Sequence, residues 1–190
     1  SSLPGVNSSA SVSPDGSRVA FAAGDAGNTD IYVVAITGGE PERLTSTRSI
    51  ETQPAWSPNA RQIVFTSAAA GSPQLYLMDA EGTNMRRLTF DDSFADEAAW
   101  APDGVRIAYT TQVEGRFQIA TLDLRTMTRT VVPGPGNNES PCWSPDGSIL
   151  AFVSDRSGRK QIYVTDPEGV PRRLTNEGNN TSPAWVALVK

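Results

Sequence analysis

The chain contains no histidine in its 190 residues. A Ser-His-Asp or Cys-His nucleophilic site cannot be assembled from it, and imidazole-based metal sites are excluded with it. The single cysteine, Cys142, leaves no partner for an internal disulfide. No apolar stretch reaches the roughly 20 residues of a membrane-spanning helix, so membrane insertion is not expected. Lys and Arg number 16 against 21 Asp and Glu, a net charge of −5, and basic residues occur at most in pairs. A nucleic-acid surface is therefore not expected either. Helical periodicity is missing too: no run keeps apolar residues at helical spacing over about ten positions. No secretory leader is visible at Ser1, which reads as a processing boundary.

What is present is repetition. A four-residue turn recurs as Ser13-Pro14-Asp15-Gly16, Ser57-Pro58-Asn59-Ala60, Ala101-Pro102-Asp103-Gly104 and Ser144-Pro145-Asp146-Gly147, with the prolines 44, 44 and 43 residues apart. Proline presets φ for the second position of a type I turn, Asp suits the third, and Gly closes it. Asn59-Ala60 departs from this pattern and predicts a poorer turn. A period of about 40–45 residues made of short strands is that of a propeller blade rather than of a helical repeat.

Each unit reads as four strands. The first leads into the turn and ends on a bulky apolar residue: Val12, Trp56, Trp100 and Trp143. The second is β-branched and aromatic (Arg18–Phe21, Gln62–Phe65, Arg106–Tyr109, Ile149–Phe152) and predicts a buried strand. After a glycine-containing loop comes the third, at Asp30–Val33, Gln74–Leu77, Gln118–Thr121 and Gln161–Val164. Hairpins at Gly38-Gly39, Glu81-Gly82 and Glu168-Gly169 lead to short fourth strands at Arg43-Leu44-Thr45, Arg87-Leu88-Thr89 and Arg173-Leu174-Thr175. The third unit has Thr130-Val131-Val132 there and lacks the hairpin glycine, which makes its outer edge the weakest expectation. The expected fold is all-β, a β-propeller of four-stranded antiparallel blades spanning 1–190, with blades at 8–45, 52–89, 96–132 and 139–175. An extra inner strand at 181–186 begins a fifth unit. Four-stranded sheets of this size bury their faces only by stacking on one another. Unpaired blade edges make a homo-oligomer an expected alternative to a closed ring.

The unit [Pro-Ala-Trp]-Ser-Pro-Asp-Gly, Ile-Ala-Phe-x-Ser-Asp-x-x-Gly, Ile-Tyr-Val-x-Asp, Arg-Leu-Thr resembles the blade of the TolB-like β-propeller family. Its clearest copy is Trp143–Gly147, Ala151–Gly158, Ile162–Val164 and Arg173–Thr175, and the ending Gly178–Trp185 is similar to the closing strand of TolB propellers. The resemblance implies a bacterial periplasmic protein of the Tol–Pal system with a protein or peptide partner, such as a Pal-like lipoprotein. Similar blades occur in larger sensor kinases, transcription regulators, prolyl-oligopeptidase-type peptidases and a pectate-fragment lyase, whose histidine-bound metal this chain cannot supply. The alternatives are thus a propeller domain of such a larger protein, or a structural array that self-assembles.

Residues just before each inner strand are expected to ring one mouth of a propeller. Here they are polar and acidic: Glu51, Thr52, Asp96, Glu97, Asn138, Glu139 and Asn180. Converging carboxylates focus a negative field in a concave mouth, so a partner, for instance a basic peptide, is expected to dock there, and no catalytic residue is assigned. Asp91, Asp92 and Asp96 are the acids a Ca²⁺ ion would use, but the run lacks the spacing and glycine of a calcium loop, and no cofactor is expected. Asp96 and Glu97 are sequence neighbours on an extended segment and a poor acid/base pair. The tryptophans and Tyr32, Tyr76 and Tyr163 keep fixed registers and are expected to pack between blades. The arginines of the fourth strands read as solvated edge charges, and Cys142 as a small buried thiol.

Overall fold

Turn chemistry sets where each blade begins. The computed structural model describes residues 5–25, 27–132, 134–166 and 169–186. In it Gly16 N donates to Ser13 O and Gly147 N to Ser144 O at 2.8 and 2.9 Å. The turn serine then serves the next strand, its Oγ accepting from Arg18 N and from Ile149 N, each at 2.9 Å. Blade two keeps this arrangement with Ser57 and Asn59, but Ala60 takes a left-handed φ of 58°.

Sixteen strands follow. Blade one comprises β1 (Val6–Val12), β2 (Arg18–Asp25), β3 (Asn28–Ala35) and β4 (Glu42–Arg43). Blade two comprises β5 (Glu51–Trp56), β6 (Gln62–Ser67), β7 (Gln74–Asp79) and β8 (Arg86–Arg87). Blade three comprises β9 (Ala95–Trp100), β10 (Arg106–Val113), β11 (Arg116–Asp123) and β12 (Thr128–Val131). Blade four comprises β13 (Asn138–Trp143), β14 (Leu150–Ser154), β15 (Gln161–Thr165) and β16 (Arg172–Arg173). Each set forms one four-stranded sheet in chain order, and every pair with a described register is antiparallel. Among the described residues no helix is long and apolar enough to cross a membrane.

The chain divides into two compact units, Ser1–Ala98 and Ala99–Lys190. In the first, Ala20, Ala22, Ile31 and Val33 of blade one pack against Trp56, Ile63, Phe65 and Met78 of blade two. In the second, Ala108, Ile119 and Val132 of blade three meet Trp143, Leu150, Phe152 and Tyr163 of blade four. The two interfaces follow one rule: small and β-branched residues on the earlier blade receive aromatic residues of the later one. Trp56 and Trp143 lie where the inter-blade expectation put them. Trp185 is 39% exposed.

Three expectations are revised. First, residues 181–186 form no strand. Their repeat equivalents pair with the second strand of their own blade, as Cys142 does with Ala151, and no such strand faces 181–186 among the described residues. The tail is instead tied to blade four by Trp185 Nε1, which donates to Cys142 O at 3.3 Å. Second, the outer edge of blade three is the longest of the four, with four ladder pairs against two elsewhere. Asp123 Oδ1 caps its turn by accepting from Arg125 N and Thr126 N, and Met127 takes the left-handed φ that a glycine would otherwise supply. Third, the fourth-strand arginines are exposed as expected apart from the half-buried Arg87, but three of them are also anchored: Nε of Arg43, Arg87 and Arg173 donates to the carbonyl of Thr45, Thr89 and Thr175. The Glu168 half of the expected Glu168-Gly169 hairpin lies outside the described residues.

Candidate functional site

The first strands are not simple extended segments. Ladder register shifts between Ser8 and Ser11, between Thr52 and Ala55, and between Glu139 and Cys142. At each shift two residues of the inner strand oppose one aromatic residue of the second strand: Phe21, Phe65 or Phe152. That is a β-bulge. The first bulge residue sits at φ 55° (Ser9, Gln53) or 54° (Ser140), and Glu97 and Ser182 hold the same φ of 55° in the same repeat position. None of the five is glycine or asparagine, although left-handed backbone is unfavourable for other residues. Sequence reasoning missed these bulges. The available signal was the Pro54, Pro141 or Pro183 that follows, because proline inside a strand is confined to edges and bulges.

The bulge re-aims the residues just before it, which are those expected at the mouth. In the first unit Thr52 and Asp96 are half-buried. Thr66 Oγ1 donates to Asp96 Oδ1 at 2.7 Å, and Glu97 N donates to the same oxygen at 2.8 Å. Burial raises the Asp96 pKa, and these two hydrogen bonds oppose the rise. Glu97, half-buried, holds the left-handed φ of the bulge position. In the second unit the bulge amide of Ser140 donates to Thr110 Oγ1 at 3.2 Å. Thr66 and Thr110 occupy one repeat position, each directly after the aromatic residue of its second strand. Glu139 forms an ion pair with Lys160.

Glu51 and Asn138 do not face outward as expected. Both are buried, at 0% and 2% exposure. Asn138 Nδ2 donates to Gln118 Oε1 at 2.9 Å, and its Oδ1 accepts from Arg156 Nη2 at 2.8 Å. Asn180 Nδ2 likewise donates to Gln161 Oε1 at 3.1 Å and to Glu177 O at 2.7 Å. These residues hold the loops rather than presenting themselves. The physical reason is that a strand-entry residue points alternately to either face, and this register points inward.

Glutamines at this repeat position also anchor the fourth strands of blades two and four. Gln74 Oε1 and Gln161 Oε1 accept from the Thr89 and Thr175 hydroxyls, each at 2.7 Å. Their Nε2 groups donate to Asp92 O and Gly178 O, each at 2.8 Å. Asp92 is buried and Asp91 exposed. Among the described residues no group of three or more His, Cys, Asp or Glu side chains is placed to hold a metal ion. Burial pushes the Cys142 thiol up to about 11, which leaves it protonated and unreactive at neutral pH. A groove of about 580 Å³ lies on the face of blade one opposite blade two and is lined by Val19, Phe21, Val34 and Ile36.

The sequence profile of the TolB β-propeller domain matches residues 1–134. Among solved structures, TolB from Acinetobacter baumannii is 28% identical with a TM-score of 0.82, over 95% of this chain and 45% of that one. A structure described as TolB from Agrobacterium tumefaciens is 24% identical with a TM-score of 0.83, over 92% of this chain and 64% of that one. A puromycin-hydrolyzing peptidase of Mycobacterium tuberculosis shares the fold at 16% identity and a TM-score of 0.71, over 88% of this chain and 28% of that one. The chain therefore spans 45% to 64% of the length of the two TolB proteins.

Proposed function

This chain belongs to the TolB β-propeller domain family, and from that premise we propose that it is a non-catalytic module that binds a protein or peptide through its bulged first strands. The observation that carries the reading is the left-handed residue repeated in one register of five units. Strained backbone held in place by its surroundings concentrates where function requires a fixed geometry, and here it presents polar side chains at the strand entries. The contact residues are Thr52, Asp96 and Glu97 in the first unit and Glu139 in the second. Their charge is acidic, so the partner segment is basic; by family resemblance it belongs to a Pal-like lipoprotein in the bacterial periplasm. Absence of histidine from the sequence, together with an inert Cys142, leaves Ser-His and Cys-His acyl-transfer sites without their base and their thiolate.

Fluorescence anisotropy with a lysine-rich peptide and with a Pal-like lipoprotein tests this. The triple variant Asp96→Asn, Glu97→Gln, Glu139→Gln is expected to weaken binding at least tenfold, with salt weakening the native protein in parallel. Equal affinity of variant and native protein removes the acidic entries from the interface. The coverage of 28% of a peptidase chain favours a second reading, a propeller that serves a catalytic domain of a larger protein. In that case neither probe binds, and the exposed apolar face of blade one packs against the additional domain.

A further inference from the structure

The amide pattern described above is not kept at every junction. Where blade four meets blade three, Gln118 pairs with Asn138, and where the tail meets blade four, Gln161 pairs with Asn180. In each case the Asn amide supplies the proton. The equivalent residues between blades one and two are Asp30 and Glu51. Thr29 and Ile50 form a parallel bridge immediately before them, which brings the two acids side by side in the chain direction. Both are buried, at 3% and 0% exposure.

The two carboxyls are not equivalent. Asp30 pairs through Oδ2 with Arg43 Nη2, and its Oδ1 accepts from Thr45 Oγ1 at 3.3 Å. Glu51 Oε1 accepts from Thr47 Oγ1 at 2.7 Å and from Ser67 Oγ at 3.4 Å, while Glu51 Oε2 is buried with no hydrogen-bond partner. Of the groups that face Glu51, β3 brings Asp30, the link after β4 brings Thr45 and Thr47, and β6 brings Ser67. Asp30 is the one charged group among them, with Arg43 of β4 paired to it. A buried anion beside another anion is costly unless paired. Arg43 pairs with Asp30, so relief of the like charges has to come at Glu51.

We propose that the folded protein holds a proton on Glu51 through the pH range in which an ordinary glutamate is ionised, and that this neutral acid, held by the hydroxyls of Thr47 and Ser67 rather than by a bond to Asp30, takes the place of the Asn amide as the latch between blades one and two. The orphaned Oε2 is the atom that carries the proton. Desolvation, the largest effect, and the Asp30 charge both act in this direction, against the hydroxyls of Thr45, Thr47 and Ser67. Loss of the proton places two like charges in one buried junction and loosens the link 45–51 that leads into Thr52. The device makes the first strand entry sensitive to alkaline pH, independently of what docks there.

Urea unfolding at pH values from 4 to 9 tests the latch on the native chain and on Glu51→Gln, whose amide mimics the protonated acid. An acid whose folded pKa is raised stabilises fully below its unfolded value, and that stability drains as pH climbs toward the folded value. The native folding constant is therefore expected to fall by up to tenfold per pH unit from about 4.5 upward, and this component is expected to vanish in Glu51→Gln, which at pH 8 is at least as stable as the native chain. Carbon-detected NMR of the native Glu51 carboxyl provides a reading that needs no variant: its shift stays at the protonated value at pH 6. A carboxylate shift at pH 6, a Glu51→Gln variant that keeps the native slope or fails to fold, or stabilisation at pH 8 by Ca²⁺ that Glu51→Gln abolishes, each overturns the proposal.

Discussion

The guanidinium of Arg18 lies over the Trp56 ring, 4.6 Å from its centroid, and Arg106 lies over Trp143 at 4.7 Å in the second unit. Each arginine opens the second strand of one blade and each tryptophan closes the first strand of the next. The indole nitrogens of both tryptophans are buried without hydrogen-bond partners, so the rings are held by packing and by the cation above them.

Arg18→Met keeps the aliphatic packing and deletes the cation. A partly desolvated cation–π pair contributes about 1 kcal/mol, and that loss is expected in urea unfolding, with Trp56 emission reporting the transition. Arg106→Met is expected to lose more, about 2 kcal/mol, because Arg106 also donates to Asp103 Oδ2 at 2.7 Å and Gly147 O at 3.1 Å. Equal losses at the two sites would mean that the hydrogen bonds of Arg106 to Asp103 and Gly147 add nothing.

Thr89 is buried, and its hydroxyl both accepts from Leu75 N at 3.0 Å and donates to Gln74 Oε1 at 2.7 Å. Valine of similar shape removes both bonds and strands a strand amide. Leaving a buried donor unsatisfied costs about 1–3 kcal/mol, so Thr89→Val is expected to destabilise by about 2 kcal/mol. The same change at the more exposed Thr175 should cost less, because water reaches the freed groups. Comparison of the two midpoints in denaturant checks the difference.

Ala60 occupies the turn position that glycine fills in the other three blades, at φ 58°. Relief of left-handed strain outweighs the extra freedom that glycine gives the unfolded chain. Ala60→Gly is expected to stabilise the protein by about 0.5–1 kcal/mol, read as a rise in the thermal midpoint. A lower midpoint would show that the turn is not under strain.

The blade was legible in the sequence because turns and strand faces are local. Pro14, Asp15 and Gly16 specify their turn without help from elsewhere, and the alternation through Val19 and Phe21 specifies which side chains meet the neighbouring blade. The site was less legible. Glu51 and Thr52 read alike as polar entry residues, yet a bulge two positions later determines which of them is buried, and bulges leave only the weak trace of Pro54 or Pro141. The pairing of Gln118 with Asn138 spans 20 residues, and no local pattern announces it. Arg43 likewise reads as an edge charge until the fold brings Asp30 beneath it.

The turn aspartates set a pH dependence of the opposite sense to that of Glu51. Asp15 accepts from the Ser13 hydroxyl and from the amide and hydroxyl of Ser17, which lowers its pKa to about 2; Asp146 is lowered to about 2 by Ser144 and Ser148 in the same way. A carboxyl whose folded pKa is depressed adds stability above its unfolded value of 3.8, and that stability is lost as pH falls toward 2. Asn59 shows that an amide keeps the turn: its Oδ1 accepts from the Ser57 hydroxyl at 2.8 Å and from Arg61 N at 3.0 Å. The double variant Asp15→Asn, Asp146→Asn is therefore expected to fold at neutral pH and to lose less stability than the native chain between pH 4 and pH 2. Carboxyl-carbon NMR should place both native midpoints near 2; midpoints at the ordinary aspartate value would mean that the serines hold the turn without favouring the ionised acid.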